Sequence, residues 1–145
     1  MTDIPCDFTL DSIQIGQKKN FSQIITKSLI DDFAKISGDF NPLHMNDEYA
    51  SDTIFEKRVC HGMLLASFFS KLIGMYLPGK NALYFSQSLQ FKSPCFIDDK
   101  IIVQGEVLDK SNSTRIITVK TTIQNDSGIC LVDGQAKVIV REQVA

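Results

Sequence analysis

The chain has 145 residues, of which 43% are hydrophobic, and this is enough for a domain with its own core without disulfides or metals. Fifteen Lys and Arg residues oppose 17 Asp and Glu residues, which gives a net charge of −2. A general nucleic-acid binder needs a basic field, so we expect no nucleic-acid partner. We predict a single domain over residues 1–145, with its core between about 15 and 140.

The cysteines, Cys6, Cys60, Cys95 and Cys130, are far apart in sequence and form no CxxC pair. The spacing therefore indicates neither a zinc knuckle nor a redox dithiol, and we expect reduced thiols. The first residues, MTDIPCDF, lack the basic and apolar regions of a signal peptide. The most apolar stretch, residues 63–77, is too short and too polar to span a bilayer. These features predict a cytoplasmic protein without membrane insertion.

Apolar residues at helical spacing predict a first helix that begins at Ser28, its N-cap. Gly38 is expected to end this helix in a left-handed conformation. Residues 39–45 are predicted to be irregular, because Pro42 disfavours helical backbone at the residue before it. Asn46 is then the predicted cap of a second short helix.

Residues 62–76 are apolar around nearly the whole helical circumference, which predicts a helix buried on nearly all sides. Alternating apolar residues then predict strands, after an earlier one at 21–26, at 83–91, 101–107, 117–123 and 131–140, with a hairpin turn at 125–128. An antiparallel sheet that curls around one apolar helix buries both elements. This α+β arrangement is the hot-dog fold, although periodicity alone leaves other α+β layouts open.

The chain has two histidines, and His44 lies in the segment SGDFNPLH together with Asp39 and Asn41. A carboxylate and an imidazole held on a rigid loop between two helices suit general acid–base catalysis on a water molecule. The spacing alone leaves another interpretation open, in which Asp39 caps an Asx turn at Pro42 and His44 satisfies that turn.

Three segments carry a resemblance to a known family. FAKISGDFNPLHMNDEYA, residues 33–50, resembles the signature of the MaoC-like hot-dog enzymes, the (R)-specific enoyl-CoA hydratases. VCHGMLLASFFSKLIGMYLPG, residues 59–79, resembles the central helix of the short bacterial members that feed polyhydroxyalkanoate synthesis. YFSQSLQFKSPCFIDD, residues 84–99, resembles the strand and turn that follow it. Together the resemblance covers about residues 15–140.

The resemblance implies the reversible syn addition of water to a trans-2-enoyl-CoA thioester, giving a (3R)-3-hydroxyacyl-CoA without a cofactor. Asp39 and His44 would hold and deprotonate the water, and the same pair would return a proton to the α-carbon. Gly62 opens the central helix, so its free N–H would stabilise the charge on the thioester oxygen. On sequence alone, a glycine required only for packing is the other interpretation of Gly62.

The resemblance also implies supporting positions. Asn41 would position the loop, and the alternative for this residue is an Asx turn with Pro42. Ser70 would lie near the catalytic pair, and the alternative for this residue is a hydrogen bond back to a helix carbonyl. Ile73 and Val138 match positions that border the acyl pocket, although aliphatic residues there are expected to belong to the core.

His61 directly precedes a helix N-terminus, where a charged imidazolium is unfavourable, so we expect it to be neutral and structural. No spacing such as HExxH is present, and we expect no metal. Lys57, Arg58, Lys80 and Lys92 are candidates for contacts with the phosphates of coenzyme A, with ordinary solvated surface as the alternative.

Three other functions fit the same fold. A (3R)-hydroxyacyl-carrier-protein dehydratase runs the same chemistry in reverse, but the net charge of −2 favours the free coenzyme over an acidic carrier. A thioesterase directs its water at the carbonyl carbon, and a non-catalytic acyl-thioester-binding protein needs no catalytic pair. The resemblance also implies a homodimer with the two sheets joined edge to edge, and a lone sheet with exposed edges is prone to association.

Overall fold

The computed structural model describes residues 3–142. Residues 1, 2 and 143–145, which the one-domain prediction includes, lie outside the described residues. The helices are α1 (Lys27–Ser37), α2 (Pro42–Met45), α3 (Asp47–Ser51) and α4 (Gly62–Lys71), and α4 continues into a π-helical turn at Leu72–Tyr76. The strands are β1 (Lys18–Ile24), β2 (Ala82–Gln87), β3 (Gln90–Phe91), β4 (Lys100–Lys110), β5 (Ile116–Asn125) and β6 (Cys130–Val140). None of the described helices is long and apolar enough to cross a membrane.

All six strands form one antiparallel sheet in the order β1-β4-β5-β6-β2, and β3 also pairs with β6. Side chains of β4 and β5 alternate between buried and more exposed positions, as the period of two predicts. The buried side chains pack against α4 and its π-helical turn, and a Cβ added to Gly105 would lie 3.1 Å from Leu72. A glycine in β4 therefore lets this helical segment approach the sheet closely, as the predicted hot-dog layout requires.

Helix α1 begins earlier than predicted. Its N-cap is Thr26, whose backbone is extended and whose side chain accepts a hydrogen bond from the Leu29 N–H. The predicted cap at Ser28 is therefore wrong, since Ser28 already lies inside the helix. Gly38 ends α1 with a φ of 79°, in the left-handed conformation that the sequence predicts.

The prediction of an irregular stretch at 39–45 is wrong in its second half, where α2 forms one helical turn. Pro42 takes the first position of this turn, because its missing N–H has no intrahelical partner to lose there. The Asn46 side chain accepts a hydrogen bond from the Tyr49 N–H, which confirms the predicted cap of α3.

Helix α4 is not buried on all sides. Leu64, Leu65 and Phe69 face the sheet and are buried, whereas Met63 is 56% exposed and Ser70 is also exposed. The prediction assumed that an apolar helix is covered all round, but in this chain the open sheet covers one face of α4. The exposed face lines a groove with Tyr84, Gln87 and Leu89 from the strand region that follows.

The predicted strand at 83–91 is divided into β2 and β3. Its register against β6 shifts between Tyr84 and Ser86, and Ser88 lies against Gly134 of β6, where a side chain would collide with the Ser88 carbonyl oxygen. The predicted hairpin turn at 125–128 is present, with Gly128 at a φ of 79°. The first strand, predicted at 21–26, begins three residues earlier and ends at 24.

Candidate active site

The loop between α1 and α2 is ordered by two side chains that hold its own backbone. One carboxylate oxygen of Asp39, Oδ1, accepts a hydrogen bond from the Asn41 N–H at 3.1 Å. The Asn41 Oδ1 then accepts from the Leu43 N–H at 3.0 Å and caps α2. The Asx turn considered in the sequence is therefore present, and it leaves the second Asp39 oxygen, Oδ2, for another partner.

That second oxygen faces His44. Asp39 Oδ2 lies 3.9 Å from His44 Nε2, a distance too long for a direct hydrogen bond and suited to two groups that share one water. His44 Nδ1 lies 2.7 Å from the Val59 carbonyl oxygen, which can only accept, so Nδ1 carries the proton. His44 Nε2 therefore presents a lone pair toward the carboxylate, and the side chains of His44 and Asp39 are 17% and 49% exposed.

His61 supports this pair from beneath. Its ring lies 4.1 Å from the His44 ring, centroid to centroid, and its Nε2 donates to the Asp39 carbonyl oxygen at 3.0 Å. His61 is only 2% exposed, and its Nδ1 has no hydrogen-bond partner within residues 3–142. Burial lowers the pKa of His61 below its ordinary value, in agreement with the expected neutral, structural histidine.

The lowered pKa of His61 predicts a pH dependence of stability. In the unfolded chain this imidazole takes up a proton near pH 6.5, whereas in the folded chain protonation requires a lower pH. The free energy of unfolding should therefore decrease as the pH falls from 6.5 toward 5, and this contribution is fully present above 6.5. Urea unfolding at several pH values measures the slope. A His61→Gln variant should flatten it, and an unchanged slope in that variant would contradict the assignment.

Arg58 has a different role from the predicted one. It was a candidate for coenzyme A phosphates, but it is only 3% exposed, so that prediction is wrong. Its Nε donates to the His44 carbonyl oxygen at 2.5 Å, and its Nη2 lies 3.5 Å from Asp31 of α1. The guanidinium thus joins the backbone of His44 to α1. No sequence pattern distinguishes this buried arginine from its exposed neighbour Lys57.

Asp39 and His44 open into a cavity of about 480 Å³, which we call the catalytic cavity. Its wall is formed by the loop, the start of α4 and the segment after β2: Asp39, His44, Phe55, Val59, Cys60, His61, Gly62, Met63, Leu65, Phe91, Lys92, Ser93, Pro94, Cys95 and Leu131. The lining is mostly apolar with a few polar groups, which is the usual composition of a small-molecule site.

Gly62 lies where α4 meets the catalytic cavity. No side chain caps α4, and within residues 3–142 the N–H groups of Gly62 and Met63 have no hydrogen-bond partner. These two free donors lie at the positive end of the helix dipole, so this part of the wall favours a negatively charged group of a ligand. A Cβ added to Gly62 would lie 2.9 Å from the Phe91 ring, so the packing interpretation of this glycine also holds.

The remaining predicted positions lie outside the catalytic cavity. Ser70 lines the groove on the exposed face of α4, away from the residues that surround Asp39 and His44. Ile73 and Val138 are 1% and 0% exposed and belong to a core cluster on the other part of the sheet. Neither lines the catalytic cavity, and their packing follows the expectation for aliphatic residues.

Asp39, His44 and His61 also offer ligand-type atoms that lie within 4.8 Å of one another. Each histidine uses one ring nitrogen on a backbone carbonyl, and the other nitrogen of His61 is buried. The group thus presents one open imidazole nitrogen and one carboxylate oxygen, which suits proton transfer better than the three or more ligands of a metal site. The absence of a metal stays a prediction.

Three lysines remain as candidates for phosphate contacts. Lys92 lines the catalytic cavity, its side chain is 49% exposed, and its Nζ lies 3.9 Å from Asp133. Lys57 lies over the Phe96 ring, and Lys80 forms an ion pair with Asp7, so neither lines that cavity. Lys92 is therefore the candidate that the structure favours.

An Asp–His pair and two free helix N–H groups lie in one apolar cavity beside the sheet, and this arrangement suits an enzyme that uses general acid–base catalysis. The family model described as "MaoC like domain" matches residues 12–128. The chain belongs to the MaoC-like domain family.

Individual relatives agree with this assignment. The chain is 42% identical over 127 residues to the (R)-specific enoyl-CoA hydratase of Aeromonas caviae. The alignment covers 88% of this chain and 95% of that protein. It is 34% identical over 131 residues to the mitochondrial 3-hydroxyacyl-(acyl-carrier-protein) dehydratase of Arabidopsis thaliana, covering 88% of this chain and 78% of the relative. The unliganded R-hydratase PhaJ1 of Pseudomonas aeruginosa superimposes with a TM-score of 0.91 at 33% identity, over 94% of this chain and 88% of the other.

Proposed function

We propose that the chain is an (R)-specific enoyl-CoA hydratase, which adds water reversibly to a trans-2-enoyl-CoA and gives a (3R)-3-hydroxyacyl-CoA. The observation that carries this proposal is the 3.9 Å separation of Asp39 Oδ2 and His44 Nε2 in the wall of an apolar cavity. The similarity to the Aeromonas caviae hydratase supports the same reaction.

His44 and Asp39 have different roles toward the water molecule. His44 Nε2 removes a proton, because its lone pair is free while Nδ1 is held by the Val59 carbonyl oxygen. Asp39 Oδ2 orients the water and stabilises the imidazolium that forms. The water oxygen bonds to the β-carbon, and the pair returns a proton to the α-carbon on the same face. The net change is one water added, and no cofactor is required.

Negative charge develops on the thioester oxygen as the water attacks. The N–H groups of Gly62 and Met63 at the start of α4 are the donors that meet this charge, aided by the helix dipole. A glycine at this point leaves room for a carbonyl beside the backbone. The apolar remainder of the wall accommodates the acyl chain and limits the access of bulk water.

Hydration of crotonyl-CoA by the purified chain tests the proposal, through loss of enoyl absorbance and chiral analysis of the product. We expect (3R)-hydroxybutyryl-CoA. The (3S) product would contradict the assigned geometry. No reaction with crotonyl-CoA, with longer enoyl-CoA chains or with a carrier-protein thioester would favour the non-catalytic binding protein.

The carrier-protein dehydratase is the second candidate, favoured by the similarity to the Arabidopsis thaliana enzyme. The reaction is the same, and the two candidates differ in what carries the acyl chain. A comparison of kcat/KM for crotonyl-CoA and for the crotonyl thioester of a carrier protein decides between them.

A product of the (3R) hand is also a monomer type for polyhydroxyalkanoate synthesis. The free thiols are consistent with a cytoplasmic location.

Lys92 is the proposed contact for a phosphate of coenzyme A. We expect Lys92→Ala to raise KM for crotonyl-CoA about threefold to tenfold with kcat unchanged, because a partly exposed charge contact contributes about 1 kcal/mol. Steady-state kinetics at low and high salt measure this effect, which salt should weaken. Lys80→Ala is the matched control, and an equal rise in KM there would remove Lys92 from the proposed site.

We also propose a homodimer through the β2 side of the sheet. Strand β2 lies at the end of the strand order, and Leu83, Tyr84 and Phe85 on it are 53%, 37% and 63% exposed. An apolar edge strand is a template for a second copy of the same chain. Sedimentation should give a particle mass of twice the 16.2 kDa chain mass. Phe85→Glu should shift the measured mass toward that of a single chain. A wild-type chain that sediments as a monomer contradicts this assembly.

A further inference from the structure

Two cysteines face each other in the wall of the catalytic cavity. Cys60 and Cys95 both line this cavity, and they are 3% and 1% exposed. The Cys60 N–H donates to the Cys95 carbonyl oxygen at 2.7 Å, next to an antiparallel bridge between Val59 and Phe96. Directly opposed residues of an antiparallel pair project their side chains to the same side, so this backbone contact brings the thiols together.

Each thiol donates a hydrogen bond to the carbonyl oxygen of the next residue, Cys60 Sγ to His61 at 3.4 Å and Cys95 Sγ to Phe96 at 3.8 Å. The neighbouring Cys95 side chain is the main cause that raises the pKa of the Cys60 thiol, and burial raises it further. Cys60 therefore stays protonated at neutral pH, which makes it a weak nucleophile toward alkylating agents and disulfides. The hydration mechanism uses neither sulfur, so the pair is available for another ligand.

We propose that Cys60 and Cys95 form a dithiol site that binds a trivalent arsenical and that the bound arsenical blocks the catalytic cavity. Sulfur is a soft ligand, and two thiols on directly opposed residues can bind the same soft atom.

The binding step is balanced without an oxidant. In the reaction with phenylarsine oxide, the arsenic–oxygen bond breaks and two arsenic–sulfur bonds form. Both thiol protons leave with the oxygen as one water, and arsenic stays trivalent. This exchange proceeds from protonated thiols, so the raised pKa of Cys60 does not oppose it.

Blocking follows from the position of the pair. Cys60 is followed directly by His61 and Gly62, which belong to the same wall as the catalytic pair. A phenylarsenic group on the two sulfurs extends into the cavity and competes with the acyl thioester for space. This second part rests on the proposed hydratase function, whereas binding of the arsenical does not.

Intact-protein mass spectrometry with one equivalent of phenylarsine oxide tests the binding. We expect one adduct with the mass of the reagent less one water. The adduct should be lost in Cys60→Ala and in Cys95→Ala, and it should be retained in the matched controls Cys6→Ala and Cys130→Ala. Hydration of crotonyl-CoA should fall at least tenfold in the adduct. The dithiol 2,3-dimercaptopropanol should restore activity, and 2-mercaptoethanol at the same concentration should not.

Two results would overturn the inference. One is the absence of the adduct, or its persistence in both single variants after thermal melting has shown that they fold. The other is an adduct that hydrates crotonyl-CoA at the unmodified rate, which refutes the blocking. A chain that is inactive before the reagent is added refutes the proposed hydratase, and the mass measurement still decides the dithiol site.

Discussion

Asp39→Asn should lower kcat for hydration of crotonyl-CoA by about 10²- to 10⁴-fold, the usual contribution of a general acid–base group. The neutral amide lacks the negative charge that stabilises the imidazolium from Oδ2, the oxygen that faces His44. Asparagine retains an oxygen at Oδ1, so the bond from the Asn41 N–H is kept and the loop should fold unchanged. Stopped-flow absorbance of the enoyl thioester measures the rate.

Asp32→Asn is the matched control for Asp39→Asn, because Asp32 is an exposed carboxylate on α1 outside the catalytic cavity. It should keep the wild-type rate. The thermal midpoints of both variants should lie within 2 °C or so of wild type, since surface substitutions change stability by about 0.5 kcal/mol or less. A fully active Asp39→Asn enzyme would refute the proposed role of this carboxylate in orienting the water and stabilising the imidazolium.

Gly134→Ala should lower the free energy of unfolding by about 3 kcal/mol, at the upper end of overpacking effects. The added Cβ would lie 1.9 Å from the Ser88 carbonyl oxygen, and this is a backbone atom that cannot rotate away. Ser88 is itself fixed, because its N–H donates to the Gln135 carbonyl oxygen at 2.9 Å. Thermal unfolding measures the change, and a decrease in Tm of about 6–12 °C is expected for a domain of this size.

Gly74→Ala provides the matched control with the same chemical change. A Cβ at Gly74 meets no atom within 4 Å, and the residue lies in the π-helical turn after α4. Because alanine favours helical backbone over glycine, this variant should be unchanged or more stable by up to about 1 kcal/mol. Equal midpoints for the two variants would show that the contact at Ser88 relaxes freely.

The sequence was informative about the loop that holds Asp39 and His44 and less informative about the residues that support this loop. GDFNPLH contains the carboxylate, the imidazole and the turn that fixes them, and these interactions are local in the chain. The contacts of Arg58 with Asp31 and His44 span 27 and 14 residues. These contacts depend on how α1 packs against the segment before α4. The spacing of apolar residues in the sequence does not predict that packing.

Exposure was the other quantity that local pattern failed to predict. An apolar helix does not reveal how far a sheet curls around it, so the exposure of Met63 and Ser70 was missed. The division of the strand at 83–91 was missed for a related reason. It follows from the approach of Ser88 to Gly134 on another strand, which is a tertiary contact.

The Asx turn at Asp39 has a consequence for the entropy of the reaction. A free carboxylate rotates about the bond to its β-carbon, and intermediate rotations turn both oxygens away from the position that faces His44. Here the bond from the Asn41 N–H to Oδ1 restrains this rotation, so the other oxygen faces His44 before any substrate arrives. The rotational freedom of the carboxylate is therefore lost once, when the chain folds, and does not add to the activation barrier of each turnover.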